Sequence, residues 1–180
     1  MRLFIAIDPP EAVRNTLAMM CCGLPGARWV LPEQLHLTLR FIGDIDAAVL
    51  SEIIDALDAV ASDPFQLSLA GTGCFPPRGK PRVLWAGVEK NEALDNLHDR
   101  IESRLRSIGL DPEKRKFFPH ITLARLGRVT AGQVGNYLSQ HGLFFYPPFA
   151  VEKFCIYASV LHPGGARHYL EQEFWLTGRE

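Results

Sequence analysis

The chain has 180 residues, of which 47% are hydrophobic and 22% are charged, and its formal net charge is −1. This balance is typical of a globular protein with a buried core, and it argues against a disordered, fibrous or strongly basic chain. A nearly neutral chain cannot hold long nucleic acid by counterion release alone. A nucleic-acid partner would therefore be recognised at an end or at a single nucleotide.

The cysteines and the first residues indicate a cytoplasmic protein that does not enter a membrane. Cys21 and Cys22 are adjacent, and the four cysteines show no CxxC spacing. This favours reduced thiols over a disulfide framework. The sequence begins MRLFIAIDPP, in which five apolar residues precede Asp8, and so short a run predicts neither a signal sequence nor a membrane span.

The first half of the sequence predicts the order β-α-β-α-β. From the amino terminus we predict a strand over 3–7, a helix over roughly 10–22, a strand over 35–42, a helix over 46–61 and a strand over 65–70. These assignments follow from hydrophobic periodicity, which is near 3.6 residues in helices and 2 in half-buried strands. Residues 71–81, GTGCFPPRGKP, are rich in Gly and Pro and are predicted to link the two halves.

The second half predicts the same order. Its elements are a strand over 82–88, a helix over 91–108, a strand over 119–126, a weaker helix over roughly 130–141, a strand over 149–160 and a closing strand over 168–176. We therefore predict one bilobal domain over residues 1–180. Its halves would span approximately 1–70 and 82–180, and strands could be exchanged or intertwined between them.

One phrase of eight residues occurs twice, once in the second predicted strand of each half. HLTLRFIG occupies 36–43 and HITLARLG occupies 120–127, a constant offset of 84 residues. The two halves thus share both the order of their elements and a local sequence. Two pseudo-symmetric lobes of this kind would bring the two phrases to a common cleft.

The phrase gives each strand an unusual polar face. Residues two apart in a strand point to the same side, so His36 lies with Thr38 and His120 lies with Thr122. The aliphatic residues between them would point into the core. Because threonine is common in strands for its β-branched shape, the signal lies in the paired histidines at matched positions.

Two histidines and two hydroxyls suit acid–base chemistry at phosphorus. Imidazole titrates near neutral pH, so one neutral ring can accept a proton while a charged partner donates one. In-line displacement needs a base on the entering oxygen and an acid on the leaving oxygen. The threonine hydroxyls could donate to the non-bridging phosphate oxygens, where charge accumulates in the transition state.

Metal and covalent mechanisms are less well supported by the sequence. Neither phrase offers a second ligand at helical spacing, or a Cys or carboxylate on the histidine face, so two histidines would make an incomplete metal site. No GxSxG elbow or recognisable Cys/His signature is present. We therefore predict no metal and no cofactor.

At these residues the sequence resembles the two-histidine (2H) phosphoesterase superfamily, which is defined by two HxTx phrases in a bilobal fold. It is most similar to the RNA 2',3'-cyclic phosphodiesterases, also called 2'-5' RNA ligases. The segments that carry the resemblance are RLFIAID, RWVLPEQLHLTLRFIG, GCFPPRGKPRVLWAGV, FFPHITLAR and SVLHPGGARHYL. They occur in the expected order over nearly the whole chain.

The resemblance implies an α+β fold whose antiparallel-rich sheets line a central cleft. It also implies hydrolysis of RNA 2',3'-cyclic phosphates to 2'-phosphomonoesters, which frees the 3'-hydroxyl. In that reaction His36 would protonate the leaving 3'-oxygen and His120 would accept the proton of water. Thr38 and Thr122 would hold the phosphate. The family also implicates a basic residue just after the second HxTx phrase, which here is Arg125.

Each eight-residue phrase contains one arginine, and the two arginines are predicted to lie on opposite faces. Strict alternation puts Arg125 on the face opposite His120, so it reaches the phosphate only if the strand twists or bulges there. Alternation puts Arg40 on the face of His36 and Thr38. There it could contact RNA phosphates or pair with a carboxylate.

Other aromatic side chains are assigned by their neighbours in sequence. Trp85 lies in an apolar strand and is predicted to be core, whereas Trp29 and Phe75 flank predicted loops and could stack a base. The remaining histidines are expected to do no chemistry; they are His98, His141, His162 and His168.

The expected partners are RNA ends or 2',3'-cyclic nucleotides as substrate, with no obligate protein partner and a monomeric state. An alternative is a non-catalytic nucleotide- or RNA-binding module of the same fold, although both HxTx phrases are intact here. Reversible 2'-5' RNA ligation at the same site is a further alternative within the enzyme class.

Overall fold

A computed structural model describes residues 1–163 and 165–178, and in this part of the chain four helices and nine strands form an α+β fold. The strands are β1 (Arg2–Ile7), β2 (Arg28–Trp29), β3 (Leu37–Asp44), β4 (Phe65–Phe75), β5 (Val83–Val88), β6 (His120–Arg125), β7 (Phe145–Val151), β8 (Lys153–His162) and β9 (Gly165–Trp175). The helices are α1 (Glu11–Met20), α2 (Ala47–Asp58), α3 (Glu92–Ser107) and α4 (Ala131–His141), and a short 3-10 turn spans Pro32–Gln34. The predicted α+β class is confirmed.

Helices α3 and α4 each begin at a residue whose side chain caps the helix. Asn91 caps α3, its side chain accepting from the backbone N–H of Leu94 at 3.0 Å, and the buried residues Leu94, Leu97, Ile101 and Leu105 recur at helical spacing. Thr130 and Gln133 form a capping box at the start of α4. These buried stripes pack with the strands' inward-facing residues in one hydrophobic core.

The strands form one antiparallel sheet in the order β7-β4-β5-β6-β3-β1-β8-β9, and β2 pairs with β6 beside this path. The strands that carry the two phrases, β3 and β6, are neighbours at its centre. Their ladder consists of a single residue pair, Leu37 with Ile121. The two halves of the sheet are therefore joined through the site region.

Strand β4 is longer than predicted and takes up five residues of the predicted linker. It runs to Phe75 and lies between β5 and β7, so a strand from the first half of the sequence pairs with strands of the second. One of the glycines that suggested a loop, Gly73, serves close packing instead. A Cβ at Gly73 would come within 2.2 Å of the Trp85 ring.

The predicted strand over 149–160 is wrong, because this segment contributes to two strands. β7 ends at Val151 and pairs with β4, whereas β8 starts at Lys153 and pairs with β1. β7 also contains Pro147 and Pro148, which weaken the sequence signal for a strand. Proline is tolerated there because β7 is an edge strand of the described sheet.

No helix in residues 1–163 and 165–178 is long and apolar enough to span a membrane. The four cysteines are free thiols. The assignment of all 180 residues to one domain stays a prediction.

Candidate active site

The two phrase histidines are brought together by the central pair of strands. His36 immediately precedes β3 and His120 is the first residue of β6. The residues that follow them, Leu37 and Ile121, are antiparallel partners and are 1% and 0% exposed. Because side chains alternate along a strand, both histidines lie on the sheet face opposite this buried pair.

The same register brings each threonine next to the other phrase's histidine. Extending the antiparallel pairing by one residue in each direction sets His36 towards Thr122 and Thr38 towards His120. All four side chains are partly buried. Two imidazoles and two hydroxyls therefore share one face of the sheet in a crossed arrangement.

Each imidazole is oriented by the same local hydrogen bond. The Nδ1–H of His36 donates to the carbonyl of Gln34 at 2.7 Å, and the Nδ1–H of His120 donates to the carbonyl of Phe118 at 2.7 Å. A carbonyl can only accept, so Nδ1 carries the proton in each neutral ring. Nε2 of both rings is thus left to accept or deliver a proton.

Burial disfavours the charged form of both histidines. It lowers the pKa of His36 from 6.5 to about 4, although the Gln34 carbonyl acts in the opposite direction. The charges of His168 and His120 lower the pKa of His36 further, and that of Asp8 raises it. His36 and His120 are therefore electrostatically coupled.

The pKa of His120 is also lowered, mainly by burial. Its hydrogen bond to the Phe118 carbonyl opposes this shift, and the positive charge of Arg125 adds to it.

A β-bulge in β6 sets the face on which Arg125 lies. Thr122 and Ala124 pair with consecutive residues of β5, so Leu123 is an extra residue on its strand. Leu123 and Ala124 are both buried, and Arg125 is exposed. The bulge shifts the alternation by one residue and returns Arg125 to the face of the histidines, which the strict alternation used in the sequence prediction did not give.

An equivalent bulge in β3 turns Arg40 away from the site. Thr38 and Arg40 pair with consecutive residues of β1, so Leu39 is the extra residue. Arg40 is 7% exposed and lies on the core side. The prediction that Arg40 shares a face with His36 and Thr38 is wrong, because it assumed unbroken alternation.

Arg40 is paired with carboxylates inside the protein. Its Nε lies 3.0 Å from Glu102 and its Nη1 lies 3.6 Å from Glu113, and it also donates to the carbonyl of Asp111. Of the two interpretations of Arg40, the structure has the carboxylate pair. The pair joins β3 to α3 and to the segment that leads to His120.

An aromatic wall surrounds His120. The Phe75 ring lies 5.0 Å from it at 81°, the Trp85 ring lies 6.2 Å away, and Phe118 lies 6.3 Å away. The prediction that Trp85 belongs to the core is wrong, because the ring lies over Gly73 on the face of the site. Trp29 instead packs against the core.

His168 is a site residue that the sequence prediction missed. Its ring centroid lies 5.3 Å from that of His36 and 4.8 Å from that of Phe4, and Phe4 lies 4.9 Å from His36. The three rings form one cluster. His98 and His141 stack on other aromatic rings. No spacing pattern could have found His168, because the β8–β9 hairpin delivers it from the far end of the chain.

A cavity of about 420 Å³ opens beside His36. This volume lies within the roughly 300–1,000 Å³ of small-molecule sites. His168, Asp8, Tyr157 and Arg167 contribute to its lining, and the Tyr157 hydroxyl donates to the Asp8 carboxylate. The lining thus includes carboxylate, phenol and guanidinium groups together with the His36 and His168 imidazoles.

In residues 1–163 and 165–178, no group of three or more His, Cys, Asp or Glu side chains is arranged to hold a metal ion. The chemistry available from the described side chains is proton transfer at two Nε2 atoms, with hydroxyl donors and one guanidinium beside them.

Known proteins match the chain over nearly its full length. A family model described as LigT like Phosphoesterase matches residues 7–85 and 87–168. The RNA 2',3'-cyclic phosphodiesterase of Archaeoglobus fulgidus is 32% identical over 168 residues, covering 92% of this chain and 94% of the relative. That of Thermotoga maritima is 36% identical over 178 residues, covering 92% and 90%.

Solved structures agree with this fold. A crystal structure of a protein from Thermus thermophilus superposes with a TM-score of 0.88 at 29% identity and covers 100% of both chains. E. coli LigT complexed with 3'-AMP superposes with a TM-score of 0.81 at 28% identity and covers 98% of both chains.

Proposed function

Because this chain belongs to the LigT-like phosphoesterase family, we propose that it hydrolyses RNA 2',3'-cyclic phosphodiester ends to 2'-phosphomonoesters. The observation that carries the proposal is the antiparallel Leu37–Ile121 pair, which brings the two His-x-Thr phrases side by side on one face. Curated relatives that match most of the chain are named for this activity. The alternative, a non-catalytic binding module, would not need both histidines oriented with Nε2 free.

The proposed reaction is one in-line displacement. Nε2 of His120 takes a proton from water as the water oxygen bonds to phosphorus. The bond from phosphorus to O3' breaks on the opposite side, and Nε2–H of His36 protonates the leaving oxygen. The result is a 2'-phosphate and a free 3'-hydroxyl, and the proton gained by His120 balances the one lost by His36.

The groups beside the histidines would stabilise the charge that develops on the phosphoryl oxygens. The hydroxyls of Thr38 and Thr122 would donate to the non-bridging oxygens, and the guanidinium of Arg125 would offset their charge. Such donors act most strongly where water is excluded, and both threonines are partly buried. The bulge at Leu123 supports the inclusion of Arg125.

Only the singly protonated pair can turn over, with His36 charged and His120 neutral. In the free protein burial disfavours this form, because the pKa of His36 lies near 4. A bound phosphate anion favours the charged form of both rings. Substrate binding would therefore help to load the donor with its proton.

The test is incubation with 2',3'-cyclic nucleotides and with RNA ending in a cyclic phosphate, followed by phosphorus NMR. We expect 2'-phosphomonoesters, and we expect exhaustive chelation to leave the rate unchanged. Loss of turnover on chelation and its recovery with a divalent ion would contradict the acid–base mechanism. A folded protein that binds these ligands without turnover would support the binding-module alternative. Addition of ends bearing a free 5'-hydroxyl would measure 2'-5' ligation through the same site.

The roles of the two histidines can be separated with a nitrophenyl ester, whose leaving group needs no acid. On this substrate His36→Ala should lose far less activity than His120→Ala. On a cyclic nucleotide each variant should lose most activity, and the double variant should be little worse than either. Selective rescue of His120→Ala would exchange the two roles.

We also propose that the protein acts as a monomer in the cytoplasm and needs no protein partner. The support is indirect, from the free cysteines and from a cavity that one chain completes. Sedimentation at working concentration would test the oligomeric state.

A further inference from the structure

The imidazoles of His36 and His120 share two contacts, a backbone hydrogen bond and an edge-to-face ring. Each donates Nδ1–H to the carbonyl two residues before it. Each also meets a second ring edge-to-face: His120 meets Phe75 at 5.0 Å and 81°, and His36 meets His168 at 5.3 Å and 78°. The half that carries the proposed base uses a phenyl ring, and the half that carries the proposed donor uses an imidazole.

Packing alone does not require an imidazole at position 168. Phe75 shows that a phenyl ring makes the same edge-to-face contact, and aromatic pairs of this geometry need no nitrogen. The imidazole is only partly buried and lines the cavity beside His36. It can therefore exchange protons with solvent or meet a ligand, as a core ring cannot.

The charged and titratable groups around His168 come from four segments. Asp8 follows β1, Glu33 lies in the 3-10 turn, Tyr157 lies in β8 and Arg167 precedes His168 on β9, and all line the same cavity. The Asp8 carboxylate favours a proton on either His168 or His36, since its charge raises the pKa of both. The Asp8 carboxylate thus faces two imidazoles, and its negative charge stabilises the protonated form of either one.

We propose that His168 is a positioning residue for the donor. Its edge-to-face contact fixes the ring plane of His36. Because it is an imidazole, the proton affinity of His36 also depends on whether His168 is protonated. This rests on the proposed function, in which His36 is the acid. When His168 is charged, a proton on His36 is opposed, so the two rings titrate as a coupled pair. Phe75 makes the same edge-to-face contact with His120, but a phenyl ring does not titrate and so adds no coupling to the titration of His120.

The first test separates contact from charge by NMR titration of the histidine rings. His168→Phe keeps an edge-to-face ring and removes the nitrogens, so the titration of His36 should move to higher pH, by about one unit. The reciprocal variant, Phe75→His, should move the titration of His120 to lower pH. Unchanged titration of His36 in His168→Phe would overturn the coupling. This readout needs no turnover, so it stands apart from the test of the proposed function.

The second test compares substrates that do and do not need the acid. His168→Ala removes the ring contact, so kcat on a 2',3'-cyclic nucleotide should fall roughly tenfold or more, with a much smaller fall on a nitrophenyl ester. His168→Phe should keep most of kcat on both and move the acid limb of kcat/KM upward with the His36 titration. Equal losses on both substrates in His168→Ala would mean a structural role only and would overturn the positioning. If the wild-type protein turned over neither substrate, the proposed function would fail instead.

Discussion

The buried donor histidine should make the fold sensitive to acid. His36 has a pKa of about 4 in the folded protein against an ordinary value of 6.5. Between these values the unfolded chain binds a proton at this position and the folded protein does not. The free energy of unfolding must therefore fall as the pH drops from 6.5 towards 4, and this contribution is constant above 6.5.

The size of the effect follows from the displacement of the pKa. A shift of one unit corresponds to about 1.36 kcal/mol, so the fall from 6.5 to about 4 corresponds to about 3 kcal/mol at pH 4. The matching variant is His36→Asn, whose amide can still donate to the Gln34 carbonyl but cannot titrate. Between neutral pH and pH 4, the wild type should lose about 3 kcal/mol more than the variant.

Urea unfolding at both pH values measures the difference, because titrating groups that are not coupled to His36 contribute equally to the two proteins and cancel. His120→Asn serves as the comparison, and its pH-dependent difference should have the same sign. If wild type and His36→Asn lost equal stability on acidification, His36 would not be buried as a neutral ring in solution.

Three further predictions concern the arginines and the pH profile. Arg40→Met should lower the free energy of unfolding by about 3–5 kcal/mol, because Glu102 keeps a buried charge without its partner; adding Glu102→Gln should restore part of it, and an unchanged urea midpoint would contradict the buried pair. Arg125→Ala should lower kcat on a cyclic nucleotide by roughly 10²-fold, whereas the exposed Arg128→Ala should not, and equal effects would leave Arg125 without a special role. A pH–rate series should give a bell-shaped kcat/KM with its acid limb near pH 4 and both limbs displaced upward in kcat, whereas a profile with one limb would contradict a two-histidine mechanism.

Local patterns predicted the four helices and most of the strands. Helix α3 was predicted from apolar residues at helical spacing. Of these, Leu94, Leu97, Ile101 and Leu105 are buried as expected. The placement of His36 and His120 in a common cleft was predicted from a repeated phrase, and recognising a repeat requires only the order of the residues. Such signals are short in range, so they survive without knowledge of the tertiary structure.

Features set by strand partners could not be predicted. Whether Arg40 or Arg125 faces the site depends on an extra residue in each ladder, and a bulge is a relation between two strands. His168 reaches the site because β8 pairs with β1 and carries β9 with it. The place of β4 between β5 and β7 likewise reflects the sheet as a whole.

The paired bulges bear on how the molecule arose. The extra residues, Leu39 and Leu123, occupy the same place in both copies of the phrase, and nothing in the four residues that the copies share requires an irregular backbone there. We infer that the ancestral unit already carried this irregularity when it was doubled. The copies then diverged just beyond it, where one now holds Phe41 and the other Arg125. The same bulge therefore presents a phenyl ring in the first copy and a guanidinium in the second.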